Sequence, residues 1–197
     1  MSRSLVLLAL LALTSPASAQ LPVAAYAPPP AGTRYVFSGM TNTVTRNDGF
    51  RTYFEDARGR PGLRVATFIP DNPNSPLTVD ERALAQLWPL KLGRSTTVDA
   101  KRGALAWRWQ LTVVDTQTVT VPAGRFQTYV VEAIETPVVA AAPDAWANIT
   151  VFWYAPSTGA VVRFKSGQLL GPRRNFPQQQ ELLRVERATA AGRKAAR

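Results

Sequence analysis

Residues 107–135 read WRWQLTVVDTQTVTVPAGRFQTYVVEAIE. From Trp107 to Val113, large apolar residues alternate with polar ones, and Val119 and Val121 alternate with threonines in the same way. A period of two is typical of a strand with one buried face. Pro122-Ala123-Gly124 interrupts the pattern before the apolar-rich run 126–135. The stretch therefore predicts strands on either side of a turn at Gly124.

The rest of the chain repeats this pattern of short strands separated by turn residues. Asn47-Asp48-Gly49 and Arg58–Gly62 are turn signals, and Ala155–Gly159 predicts a hairpin loop. Leu63, Val65, Thr67 and Ile69 are predicted to share one strand face, and Leu183 and Val185 to point inward. The further predicted strands are 33–45, 50–55, 63–69, 149–154, 160–165 and 180–187.

One helix interrupts the strands. Thr78 followed by Glu81 fits a capping box, and Leu84 and Leu87 lie at helical spacing before Pro89 ends the run. Strands joined mostly by short turns favour an antiparallel meander over alternating βαβ units. The predicted fold is mostly β: an antiparallel meander, closed or strongly curved as a barrel or half-barrel, with one short helix. Residues 33–187 are predicted to form this single domain.

The first nineteen residues have the features of a signal peptide. Arg3 supplies a positive charge, Leu5–Leu13 is an apolar run, and Ala17-Ser18-Ala19 offers small residues for cleavage. The mature chain is then expected to begin at Gln20, with a Pro-rich linker over residues 20–32. We expect a bacterial periplasmic or secreted protein, without a lipid anchor because no cysteine stands at the cleavage site.

The amino-acid composition excludes most of the common catalytic mechanisms. The chain of 197 residues has no His and no Cys, so imidazole bases, catalytic thiolates, disulfides and His or Cys metal sites are excluded. No cofactor and no metal are expected. The adjacent carboxylates Glu55-Asp56 and Asp80-Glu81 point apart in regular structure, and Glu132 and Glu135 fall on opposite strand faces. We therefore predict no catalytic residue, with a carboxylate-dependent hydrolase of the cell envelope as the alternative.

The formal charge of +10 is concentrated near the C-terminus. Residues 188–197 are basic and lack large apolar side chains, which predicts a flexible tail able to make peripheral contact with an anionic membrane or another anionic envelope component. Nucleic acid is not an expected partner, because the aromatic residues are interleaved with apolar rather than basic positions. Trp146, in an Ala-rich loop, is the one candidate ligand contact, for a lipid, a glycan or a protein. An apolar ligand is also a candidate partner of the chain. We expect a monomer with a non-enzymatic binding or accessory role.

Three motifs carry a resemblance that covers residues 84–168. They are Trp88–Gly93, Val119–Phe126 (VTVPAGRF), and Trp153-Tyr154-Ala155-Pro156 with Gly159, Val161 and Arg163. In these the chain resembles a class of uncharacterised bacterial secreted or periplasmic β-rich domains. The resemblance implies a bacterial cell-envelope setting and assigns no catalytic residue.

Overall fold

Twelve strands and one short helix form the structure, a computed structural model that describes residues 21, 23–138, 147–170 and 173–187. The strands are β1 (Arg34–Phe37), β2 (Thr41–Asp48), β3 (Arg51–Asp56), β4 (Pro61–Val65), β5 (Ile69–Asp71), β6 (Thr78–Val79), β7 (Ser95–Arg102), β8 (Leu105–Val121), β9 (Gly124–Pro137), β10 (Ala147–Ala155), β11 (Ala160–Leu170) and β12 (Arg173–Glu186). Helix α1 (Glu81–Ala85) lies between β6 and β7.

The strands form one antiparallel sheet of two meanders. Its order is β5-β4-β3-β2-β1-β12-β11-β10-β9-β8-β7-β6, so β1 and β12 join the two meanders. The prediction of a mostly β antiparallel meander with one short helix is confirmed. The sheet is not closed, because β5 and β6 are its two edges and do not pair with each other. Of the two predicted forms, the barrel is thus unsupported.

The open sheet nevertheless bends until its two ends meet. Val65 and Ile69, near one edge, belong to the same buried cluster as Val98 of β7, near the other edge. The Asp71 carboxylate of β5 lies 2.8 Å from the Arg102 guanidinium of β7. Side chains, rather than a strand ladder, therefore close the gap between the two edges.

The core has two parts, one on each face of β10. Phe152 and Tyr154 belong to a first cluster, which also contains Trp88. Val151 and Trp153 point to the opposite face and belong to a second cluster. Alternation along a strand explains the separation, and burial of both faces explains why nearly every residue of β10 is apolar.

The long β8–β9 hairpin contributes to both clusters because it contains a bulge. The register between the two strands shifts between Val113 and Asp115. Before the bulge, Leu111 packs in the first cluster, whereas Val119, after it, packs in the second. An extra residue reverses the face on which later side chains lie. At the hairpin tip, the Ala123 N–H donates to the Leu182 carbonyl of β12 at 3.1 Å.

The turn at Gly124 has the backbone conformation that its sequence predicts. Its φ is 136°, in a region that residues with a side chain rarely adopt. We expect Gly124→Val to lower the free energy of unfolding by about 1–3 kcal/mol, measured by urea denaturation. Arg125→Val is the control, since it places a β-branched residue in the adjacent, exposed strand position and should have little effect. Equal stability of the two variants would contradict the expectation.

Two segments that were each predicted as one strand contain two strands in the structure. Residues 33–45 form β1 and β2 with a turn at Ser38–Met40 between them. Residues 63–69 form β4 and β5, because Ala66 and Thr67 have φ values of 46° and 74° and break the strand. Side chains in that left-handed region cannot continue a pleated ladder.

The predicted helix start and one inward residue are also corrected. Thr78 pairs with Lys101 in the β6–β7 ladder, and Asp80 is the N-cap, whose carboxylate accepts from the Arg82 and Ala83 N–H groups. In β12, Leu183 is 38% exposed and Leu182 is buried. The register with β1 passes from Arg184 to Leu182, so Leu183 is the bulged residue and turns outward.

The structure describes most of the predicted linker but neither of the predicted terminal segments. The predicted signal peptide, 1–19, and the basic tail, 188–197, lie outside the described residues. Residues 23–32 of the predicted linker lie against the domain: Ala24 is buried and its carbonyl accepts from the Leu90 N–H at 2.8 Å. In the described ranges, no helix has the length and apolar character needed to cross a bilayer.

Candidate functional site

An apolar cavity lies between strands β1–β4 and the β10–β11 hairpin. Its volume is about 70 Å³. Aromatic rings from both sides line it. Besides the Tyr35 phenol, four of its lining residues carry polar side-chain groups: Asn42, Thr52, Arg64 and Thr67. The aromatic lining residues are Tyr35, Phe37, Phe54, Phe152 and Phe164.

The β3–β4 ladder places the polar residues of this apolar cavity. Thr52 pairs with Arg64 and Phe54 pairs with Gly62, so these residues share one face of the two strands. A Cβ at Gly62 would overlap the ring of Phe54. Glycine at this position therefore lets the Phe54 ring lie against β4 beside Arg64 and form part of the cavity wall.

Arg64 is the unusual group of the apolar cavity. Its side chain is half-buried and, in the described part of the chain, makes neither a hydrogen bond nor an ion pair. Burial lowers the pKa of the Arg64 guanidinium, because taking the charged form out of water is unfavourable. Charges taken out of water are normally paired, so an anion bound in the cavity would stabilise this cation.

One hydroxyl group lies across the β3–β4 ladder from Arg64, that of Thr52. Thr52 is 7% exposed, and its Oγ1 is buried without a hydrogen-bond partner among the described residues. The same is true of Tyr26 Oη. Burial raises the pKa of Tyr26, and the interaction of its phenol with the Thr52 hydroxyl lowers that pKa by less, so these two hydroxyl groups lie close to each other. A guanidinium and the Thr52 hydroxyl thus stand together at the wall of the apolar cavity.

The carboxylates considered from sequence do not converge on one cavity. Asp80 caps α1, and Asp56 accepts from the Arg58 and Arg60 N–H groups in the β3–β4 turn. Glu132 is paired with Arg174, while Glu135 lines a separate groove across β8–β12. Within the described residues, no three His, Cys, Asp or Glu side chains come close enough to hold a metal ion.

Sequence reasoning missed Arg64 and chose Trp146, which lies outside the described residues. Arg64 stands between the buried residues Leu63 and Val65. A charged residue in that position is usual on the solvated face of a strand. Here Phe152 and Phe164, from a distant part of the chain, cover that face, and no local pattern marks the difference.

Comparison with known proteins finds similarity only to solved structures. No known family matches the chain, and no curated protein does. The hypothetical lipoprotein YmcC from Escherichia coli K12 is 12% identical, with a TM-score of 0.47 over 77% of this chain and 82% of that one. A candidate lipoprotein from Parabacteroides distasonis is 12% identical, with a TM-score of 0.49 over 84% of this chain and 100% of that one.

A third similar structure is a candidate exported protein with a YmcC-like fold from Bacteroides fragilis. It is 16% identical, with a TM-score of 0.47 over 83% of this chain and 100% of that one. At such identities and TM-scores, no functional residue of these proteins transfers to this chain. The apolar cavity with Arg64 is therefore the candidate site on its own geometry.

Proposed function

We propose that the protein is a non-enzymatic binding protein for a small amphiphilic carboxylate. The apolar body of the ligand lies among the phenylalanine rings of the apolar cavity, and its carboxylate accepts hydrogen bonds from Arg64. One observation carries the proposal: a half-buried guanidinium without a partner among the described residues lines a mainly apolar cavity rich in aromatic rings. Thr52 supplies a second donor to the same anion.

The energetics favour an anion over a neutral ligand. A hydrogen bond to a charged group contributes about 1.5–3 kcal/mol, and Arg binds carboxylates through two parallel N–H donors. Drug-sized ligands fill pockets of about 300–1,000 Å³, so a cavity of about 70 Å³ fits a short chain or the end of a longer one. The proposed ligand is therefore a short-chain monocarboxylate.

The surroundings of the cavity support binding rather than hydrolysis. A carboxylate-dependent hydrolase needs two acidic side chains facing one cleft. The described lining of the apolar cavity includes no acidic residue, and that of the groove across β8–β12 includes only Glu135. We further propose that the protein binds its ligand as a monomer. The signal-like residues 1–19 support a location in the periplasm or outside a bacterial cell.

Calorimetric titration of hexanoate, hexanol and hexylamine tests the proposal, because the three differ mainly in charge. We expect hexanoate to bind about tenfold or more tightly than hexanol, and hexylamine to bind more weakly than either. Arg64→Met should abolish the preference for hexanoate. Its melting temperature should be unchanged or raised, because an unpaired charge is replaced by an apolar side chain of similar length.

Arg58→Met is the matched control, because Arg58 is exposed in the β3–β4 turn and does not line the apolar cavity. It should bind hexanoate as the native protein does. Two results would overturn the proposal: no hexanoate binding by the native protein, or the same hexanoate preference in Arg64→Met. The stability measurement separates lost binding from lost folding.

A further inference from the structure

A polar groove crosses the sheet and shares no lining residue with the apolar cavity. Its volume is about 530 Å³. Its floor is a row of five residues in register on adjacent strands, from β8 to β12. They are Trp109, Glu135, Asn148, Gln168 and Asn175. Strands lie about 4.8 Å apart, so the row is about 19 Å long.

Trp109 lines this polar groove and belongs to the first core cluster. It is 4% exposed, and its indole Nε1 is buried without a partner among the described residues. Tryptophan N–H groups usually find a partner when they are buried. A ligand oxygen in the groove would supply that partner.

The remaining polar groups of the groove are suited to an uncharged ligand. Of the described residues that line it, Glu135 alone is charged, and its carboxylate accepts from the Asn148 amide at 2.9 Å. The side-chain amides of Gln168 and Asn175 make no hydrogen bond to another described residue. Each amide offers both donors and an acceptor, as hydroxyl groups require.

A bulge shapes the groove at the β11–β12 ladder. Ser166 pairs with Gln178 and Gln168 pairs with Asn175, so one β11 residue, Gly167, faces two residues of β12. Bulges are frequent beside binding sites, where they redirect side chains. Here the bulge lies next to the two amides that are free of protein hydrogen bonds.

We propose that the polar groove is a second binding site, for a neutral oligosaccharide whose hydroxyl groups bond to this row of amides and to the Trp109 N–H. The length of the row favours several linked sugar rings over a single one. A peptide is disfavoured because β9 to β11 are interior strands whose main-chain groups are paired on both sides, leaving no edge for strand addition.

Titration of the full mature chain with cellohexaose, maltohexaose and chitohexaose tests this proposal. We expect at least one hexasaccharide to bind, and Gln168→Ala and Asn175→Ala each to weaken that binding about fivefold. Trp109→Phe should weaken it similarly, because it removes the indole donor. The substitution also removes volume from the core, so urea denaturation must show that this variant is folded under the titration conditions. Arg64→Met should bind the hexasaccharide normally, which separates this groove from the proposed carboxylate site.

Matched controls use the same residue types outside the groove. Gln127→Ala on β9 and Trp107→Phe on β8 should leave binding unchanged, since neither residue lines the groove. No binding by any of the three hexasaccharides would overturn the proposal. Binding of a neutral glycine-serine hexapeptide in their place, or binding that is unchanged in Gln168→Ala and Asn175→Ala, would overturn it as well.

Discussion

Asp71→Ala is expected to lower the free energy of unfolding by about 3 kcal/mol. The Asp71 side chain is 0% exposed and accepts hydrogen bonds from Arg102 at 2.8 Å and from the Asn72 and Leu77 N–H groups at 2.7 and 3.0 Å. Its removal leaves a partly buried guanidinium and a main-chain N–H without partners. Arg102 retains some solvent exposure, so the expected loss is at the lower end of the range for broken buried pairs.

Urea denaturation of Asp71→Ala against Asp99→Ala measures this contribution. The Asp99–Arg108 pair has a similar distance of 2.8 Å, but both side chains are 57% exposed. Exposed pairs contribute about 0–1 kcal/mol, so Asp99→Ala should be nearly neutral. A loss below about 1 kcal/mol in Asp71→Ala would mean that the two sheet edges do not depend on this carboxylate.

Gly167→Ala is expected to destabilise the protein by about 3 kcal/mol, the upper end of the usual cost of overpacking. A Cβ at Gly167 would overlap the Asn175 carbonyl oxygen and lie 2.7 Å from its carbonyl carbon. These are main-chain atoms of β12, so β11 and β12 must separate to accept the methyl group. Hydrogen exchange should consequently become faster in both strands.

Gly39→Ala is the control for this substitution. There an added Cβ would meet the end of the Gln180 side chain at 2.5 Å, and that side chain can turn away. We expect Gly39→Ala to cost less than about 1 kcal/mol. Equal stability losses in the two variants would show that the close approach of β11 and β12 at Gly167 is not a constraint.

Local patterns predicted the strands but not where several of them break. The alternation around Trp109 and the turn at Gly124 were predicted correctly, because a period of two and a turn residue are local properties. The break at Ala66 and Thr67 was missed because neither residue type favours a positive φ. Leu183 was placed inward because the alternation does not reveal a bulge opposite β1.

The candidate site was not predictable for a different reason. Arg64 and Thr52 become neighbours through the β3–β4 ladder, and β10 and β11 then cover them with Phe152 and Phe164. This arrangement depends on the curvature of the whole sheet. A single sequence shows Arg64 as an ordinary polar residue in an alternating strand.

The pairing of β1 with β12 sets the order in which the sheet can fold. The Arg34 guanidinium of β1 donates a hydrogen bond to the Glu186 carboxylate of β12, and the two residues are 152 positions apart in the sequence. Contacts at such separation form late, because a long loop must close before they add stability. Synthesis releases β1–β5 first, so β1 keeps an unpaired edge until β12 is available. In that interval the exposed edge is open to pairing with other chains and makes the unfinished protein prone to aggregation.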